Sequence, residues 1–230
     1  MMKKIFLSIL FAFIAITLQS QTHEAGVFIG GSNYVGDIGR TNYIYPNKFS
    51  AGVIYKYNLN PRIALRGTYT YLPITASDKD SENTFRQNRP GGQLSFTNNI
   101  HEFAAGIEFN FFDYNINNFR TSFTPYIVAE IAAFNYSKPK NNTINNTILL
   151  ENDFSYSIPV GFGIKGRLAN NLAIAFETGI RFTFVDDIDF TTDKINGLNF
   201  GGTGNDWYMF TGVSIVYSFG KPPCFNGFTK

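Results

Sequence analysis

A single cysteine, Cys224, among 230 residues excludes an internal disulfide framework and any cysteine-based zinc site. Charge is scarce. Asp, Glu, Lys and Arg make up 16% of the chain, where a soluble globular domain carries roughly 25%. Neither sign dominates: 19 basic residues stand against 17 acidic ones, so no basic excess points to nucleic acid. Only His23 and His101 are available for histidine chemistry. After residue 20 no apolar run approaches the ~20 residues that a spanning helix needs. Aromatic residues, by contrast, are abundant. The chain holds 25 Phe and 13 Tyr against one Trp, and 44% of it is hydrophobic. Such a composition is not that of a disordered polar tail.

The N-terminus reads as an export signal. Lys3 and Lys4 precede an apolar run over residues 5–18, and Gln19, Ser20, Gln21 and Thr22 follow. That order is a positive region, a hydrophobic region and a cleavage zone near Ser20. No Cys closes the run, so it is not a lipoprotein signal. Removing residues 1–20 takes away two Lys and no acid, leaving a formally neutral mature chain. An exported chain without a spanning helix still has one way through a bilayer. A closed β-barrel satisfies each backbone N–H and C=O through neighbouring strands.

The dominant hydrophobic period along the mature chain is 2. It marks eight segments: 23–30, 49–59, 63–72, 100–112, 124–136, 155–168, 172–184 and 207–219. Most have the length that a tilted strand needs to cross a bilayer. The connectors alternate in length. Those over 31–48, 73–99, 137–154 and 185–206 are long, and those over 60–62, 113–123 and 169–171 are shorter. Short periplasmic turns and long extracellular loops make this asymmetry in outer-membrane barrels. The fold class expected is all-β, an eight-stranded antiparallel up-and-down transmembrane β-barrel. It would comprise a signal segment at 1–20, the barrel at 21–220 and a periplasmic tail at 221–230.

Face composition orients this barrel. In the seventh segment Leu172, Ile174, Phe176, Thr178, Ile180, Phe182 and Phe184 alternate with Ala173, Ala175, Glu177, Gly179, Arg181 and Thr183. The polar face is mostly Gly, Ala and Ser with isolated charges, not the dense Lys and Glu of a solvated surface. Small residues suit the narrow lumen of eight strands. The apolar face is therefore expected to meet lipid. Phe49, Tyr57, Phe111, Phe112, Tyr156, Phe184, Trp207 and Phe219 fall at strand ends, as interfacial girdles do.

Parity places ten charges on the inner faces: Glu24, Lys56, Arg66, Glu102, Glu108, Glu130, Lys165, Arg167, Glu177 and Arg181. Five acids face five bases. An unpaired charge in a narrow lumen is costly, and opposite charges sharing hydrogen bonds offset much of that desolvation. The balance predicts an internal ion-pair network and a plugged barrel rather than an open pore, since wide channels need many more strands.

Other patterns look like chemistry and read better as structure. Gly161-Phe-Gly163-Ile-Lys-Gly166 matches the dinucleotide fingerprint but lies inside a strand rather than at a strand-to-helix turn. Asp186, Asp187, Asp189 and Asp193 cluster in the last long connector without the glycine and glutamate of a calcium loop. His101 and Glu102 are adjacent and so point to opposite faces. No Ser and acid converge on either histidine to suggest a hydrolase or other lipid-modifying enzyme. The Asn-x-Thr sequons at Asn141 and Asn145 sit in an Asn-rich connector. After the last strand, Pro222 and Pro223 end pairing and Cys224 follows.

Several stretches carry a family resemblance. They are Glu24-Ala-Gly-Val-Phe-Ile-Gly-Gly-Ser-Asn-Tyr34-Val-Gly-Asp-Ile-Gly39, Tyr45-Pro-Asn, His101-Glu102, Gly106-Ile-Glu-Phe-Asn-Phe-Phe112 and Thr124-Pro-Tyr126. Ile158-Pro-Val-Gly-Phe-Gly-Ile-Lys165, Gly179-Ile-Arg-Phe-Thr-Phe-Val-Asp-Asp187 and the Pro-Cys pair continue it. Together they resemble the PorG-like outer-membrane barrels of the type IX secretion machinery of Bacteroidota, departing in the tail where Phe225 follows Cys224. The resemblance implies a non-enzymatic subunit without a cofactor. Its implied partners are outer-membrane lipid and the periplasmic ring of PorK–PorN type. The longest periplasmic turn and the tail would supply the contacts: Asp113, Tyr114, Asn115, Arg120 and Cys224. A free-standing surface barrel, acting as adhesin or envelope stabiliser through its long loops, is the competing expectation.

Overall fold

A computed structural model describes residues 23–89, 92–114, 123–142, 147–195, 198 and 204–220. The expected signal segment and tail lie outside them, and so do Asn115, Arg120 and Cys224. Eight strands follow in chain order: β1 (His23–Val35), β2 (Lys48–Asn58), β3 (Ile63–Ser77), β4 (Ser95–Asn110), β5 (Phe123–Asn142), β6 (Thr147–Ala169), β7 (Leu172–Thr183) and β8 (Trp207–Phe219). Each pairs antiparallel with the next, and β1 pairs with β8 to close the barrel. Closure removes both sheet edges along the spanning region.

Why these residues make strands is visible in their burial. Along β7 every second residue is buried, from Ala173 through Glu177 and Arg181 to Thr183, while Ile174, Phe176 and Phe182 face out. β4 alternates the same way. A strand with one apolar and one small or polar face fits this sheet in only one phase, so alternation also fixes register.

β1 runs on to Val35, and β3 and β4 take up residues 73–77 and 95–99 of their expected connector, but the largest difference from the expected layout lies between β5 and β6. Residues 137–142 and 147–154, expected in a loop, are strand. β5 and β6 continue to pair through them, from Asn135↔Phe154 to Asn142↔Thr147. Ion pairs between Lys138 and Asp153 at 2.5 Å and between Lys140 and Glu151 at 2.6 Å match across this ribbon. Cross-strand opposite charges stabilise such pairing modestly.

The core also differs from a lumen of Gly, Ala and ions alone. At the end of the barrel carrying the long connectors, inward Leu72, Ile74, Phe96, Ile100, Phe134, Tyr136 and Tyr208 pack with Ile38 and Ile188 of the loops. All are buried, so an apolar plug caps the ionic interior. The 78–94 connector adds a 3₁₀ turn (Asp78–Asp80) and one helical turn, α1 (Thr84–Gln87), whose Asn83 cap accepts from the Phe85 N–H.

Candidate functional site

The inner face of the barrel is the most chemically distinctive part of the molecule. Alternation delivers Glu24, Lys56, Arg66, Glu102, Glu108, Glu130, Lys165, Glu177 and Arg181 to the lumen, each buried. Arg66 of β3 lies at the centre. Its Nη1 and Nη2 donate to both oxygens of Glu177, at 2.5 and 2.9 Å. Its Nε is 3.3 Å from Glu130 and its Nη1 3.7 Å from Glu108. Glu108 in turn lies 2.6 Å from the Lys56 ammonium and 2.5 Å from that of Lys165. Nearer the loop end, Glu102 accepts from Tyr208 Oη at 2.7 Å and from Arg181 Nε at 3.3 Å.

Tyrosine hydroxyls and rings complete this network. Tyr126 donates to Glu177 at 2.8 Å, and its ring lies beneath the Lys56 and Lys165 ammonium groups at 5.4 and 5.6 Å. The phenols of Tyr126 and Tyr208 were not among the expected site residues. Their signal was available, because both lie on the inward parity of β5 and β8. The glycines of the fingerprint-like stretch now have a steric cause. A Cβ on Gly163 would sit 2.5 Å from the Tyr126 ring, and one on Gly161 would sit 2.8 Å from Val128 Cγ1. Each leaves room for a lumen side chain.

Arg167 stands apart from the central cluster. It is half-buried at the turn end, where β6 shifts register against β7. There its Nε donates to the Ala169 carbonyl at 3.2 Å and its Nη2 to Asn170 Oδ1 at 2.7 Å. Glu24 lies nearby and accepts from Asn58 Nδ2 at 2.9 Å.

The turn end is latched. Arg62 of the β2–β3 turn reaches Asp113 of the β4–β5 turn at 2.5 Å, and the Tyr114 N–H donates to the Pro61 carbonyl at 3.1 Å. Both charged groups stay exposed. Tyr114 does not lie on the surface expected for partner contact. It is 6% exposed, with its ring 4.7 Å from the Lys165 ammonium, because the aromatic ring gains more by covering the mouth of the lumen than by standing in water. Of the described contact candidates, Asp113 alone remains accessible.

The loop end is closed by polar contacts above the apolar plug. Asp78 is buried, paired with Arg89 at 2.9 Å, and accepts from the Gly39 and Leu94 N–H groups. Gly39 has φ +79°, a left-handed conformation that L side chains rarely adopt, and this turns its N–H toward Asp78. Arg86 donates to the Gly39 and Gly36 carbonyls, each at 2.8 Å, tying the 78–94 connector to the 36–47 connector. Tyr34 Oη meets two carboxylates, Asp189 at 2.8 Å and Asp206 in a short contact. One phenol holds one proton, so one of these contacts needs a proton on a carboxyl group. Burial and the neighbouring Asp189 charge push Asp206 up to about 8, so this buried pair of carboxyl groups holds a proton more readily than free aspartates do. Asp189 is raised as well, chiefly by burial. No metal-holding cluster of three His, Cys, Asp or Glu occurs among the described residues.

The outer face is the converse of the lumen. Val27, Ile29, Val53, Phe103, Ile107, Ile131, Tyr156, Phe162 and Phe176 stand exposed around the barrel. Phe49, Phe111, Phe112, Phe184 and Phe219 are exposed at strand ends, with Tyr57 and Trp207 half-exposed. A soluble monomer rarely exposes an apolar patch beyond a few hundred Å². A continuous belt around a closed barrel with a charged interior has its proper solvent in hydrocarbon. This is the arrangement of an outer-membrane barrel. His101 lies on that belt, its Nδ1 2.9 Å from Tyr69 Oη, while Glu102 points into the lumen.

The sequence matches the family model described as a domain of unknown function, DUF6089, over residues 3–227. The chain belongs to the DUF6089 family. No curated protein matches it. Among solved structures, this DUF6089 chain is similar to the N-terminal β-barrel domain of OprF from Pseudomonas aeruginosa. The identity is 12% and the TM-score 0.45, over 87% of this chain and 98% of that one. It is similar also to Ail, the attachment invasion locus protein of Yersinia pestis, at 11% identity and TM-score 0.46, over 88% and 100% of the two chains. A major outer-membrane protein of Thermus thermophilus shows 13% identity and TM-score 0.46, over 86% and 99%.

Proposed function

We propose that this DUF6089 barrel is a non-enzymatic outer-membrane subunit of a type IX protein-secretion machinery, anchoring a periplasmic ring of PorK–PorN type to the membrane. The observation carrying this reading is the sealed interior. Buried ion pairs fill the lumen, Tyr114 covers one mouth and an apolar plug the other. A closed barrel conducts nothing of size, so its use lies in being held rigidly in lipid while its turns meet other proteins. The Arg62–Asp113 latch fixes two such turns against each other at the periplasmic end. The resemblance of the Gly-Gly-Ser-Asn-Tyr34 and Glu108-Phe-Asn-Phe-Phe112 stretches to PorG-like barrels supplies the identity of the partner.

The test combines deletion with crosslinked co-purification from outer membranes. The expected result is that ring proteins accompany the barrel and that deleting the gene blocks export of secreted cargo. Normal export in the deletion strain would contradict the proposal. A second reading, a free-standing surface adhesin or envelope stabiliser, is favoured by exposed Tyr43, Ile44 and Phe85 in the extracellular loops. Under that reading, replacing those three residues would abolish surface binding and leave export intact.

A further inference from the structure

Above the spanning region the barrel does not end evenly. β5 leaves β4 after the pair His101↔Asn135, and β6 meets β7 only from Ser157↔Thr183 onward. Between these points β5 and β6 pair only with each other, so the ribbon has two edges outside the barrel ladder. An unpaired edge presents a row of N–H and C=O groups that natural proteins usually protect. The β5 edge is protected. Asn98 donates to the Ser137 carbonyl at 2.7 Å and accepts from its N–H at 3.1 Å. Pro139 then offers no N–H, and Lys138 and Lys140 flank it. The ragged top of β3 is covered too, by Asn47 donating to Thr75 at 3.0 Å and by Ser32 donating to Pro73.

The β6 edge over residues 147–153 has none of these devices. It holds no proline and no basic residue, and among the described residues no backbone hydrogen bond reaches it from outside the ribbon. Its Ile148, Leu149 and Leu150 are exposed at 49, 51 and 59%. Glu151 and Asp153 are already neutralised by Lys140 and Lys138. A two-stranded ribbon is marginal in water and gains from a third strand.

We propose that this edge of β6 receives an extended segment of another polypeptide, which adds a strand at the cell surface. The occupant follows from the edge itself. Alternating backbone donors and acceptors match an extended main chain, not a lipid tail, and a neutral apolar strand selects a segment with apolar residues at alternate positions. A second copy is the poorer fit. Copies in one membrane point the same way, so their β6 edges run in the same sense and antiparallel pairing is closed to them. The inference rests on the membrane orientation and not on the secretion reading, so an absent ring partner leaves it standing.

Residue-resolved amide exchange of the full chain tests it, comparing native outer-membrane vesicles with purified protein reconstituted sparsely in lipid vesicles. Within residues 148–153, every second amide faces the open edge. The expected result is protection of that set in native membranes by about tenfold or more over the reconstituted sample. In the double variant Ile148→Lys, Leu150→Lys this excess protection should vanish, while the β5-directed amides stay slow and report an intact ribbon. Four results would overturn the proposal. They are equally fast exchange in both samples, slow exchange already in the purified protein, equal slowing of both amide sets in native membranes, and protection that rises with barrel density in vesicles.

Discussion

Arg66 is the residue on which the interior turns. It faces Glu177, Glu130 and Glu108 at once, and its planar fork meets Glu177 with two parallel hydrogen bonds. Lysine cannot reproduce that geometry. Arg66→Met would leave Glu130 and Glu177 buried without their principal cation. Breaking one side of a buried pair costs about 3–5 kcal/mol, because the remaining charge stays desolvated. The loss should appear as a lower denaturant midpoint in lipid vesicles, followed by the fluorescence of Trp207, the sole tryptophan. Arg66→Met combined with Glu130→Gln should lose less than Arg66→Met alone. A single variant as stable as the parent would show that the network contributes little. At this scale the sequence was partly legible. Parity assigned each charge to a face, but pairing depends on strand stagger, which parity does not encode. Glu108 and Lys165 meet across 57 residues of chain. Tyr114 is misleading because it stands at the start of a polar connector yet folds back over the mouth of the lumen.

Among the elements, the strands were the most legible and their loop-side ends the least. Period-2 alternation continues into β3 to Ser77 and into β4 from Ser95, beyond the expected limits, because Leu72, Ile74, Phe96 and Ile100 pack inward against the loops. The β5–β6 ribbon was hidden for a different reason. Its Asn-rich, charged composition reads as a loop, and nothing in it announces the backbone pairing from Asn135↔Phe154 to Asn142↔Thr147, which the Lys138–Asp153 and Lys140–Glu151 pairs support. The cap over the lumen carries a pH dependence. The folded-state pKa of Asp206 lies near 8, above the ordinary aspartate value of about 4. The folded cap therefore holds this proton more tightly than the unfolded chain does. Its contribution is fully present below about pH 4 and is lost as pH rises through about 8. The Ile188 and Asp189 N–H groups donate to Asp206 Oδ2, at 3.0 and 3.4 Å. After correction for intrinsic rates, their exchange should be faster at pH 9 than at pH 5, and Asp206→Asn should flatten the difference. Stronger protection at the higher pH would contradict the assignment.

At the scale of the whole molecule, the ordinary arrangement of a globular protein is reversed. Phe, Ile, Val and Leu face outward, and Glu, Lys and Arg are enclosed. Such a barrel is stable only where its outer belt meets hydrocarbon, since in water the exposed apolar area opposes folding rather than driving it. Closure, the sealed lumen and the surface edge of β6 all presuppose this solvent. The most direct test is the refolding of a polypeptide starting at residue 21 from urea into plain buffer and, in parallel, into detergent micelles or lipid vesicles. β-sheet circular dichroism and heat-modifiable gel mobility report the outcome. A compact, heat-modifiable barrel is expected only with detergent or lipid present, and aggregation or an unfolded chain without it. A monodisperse, fully folded protein in plain buffer would contradict it.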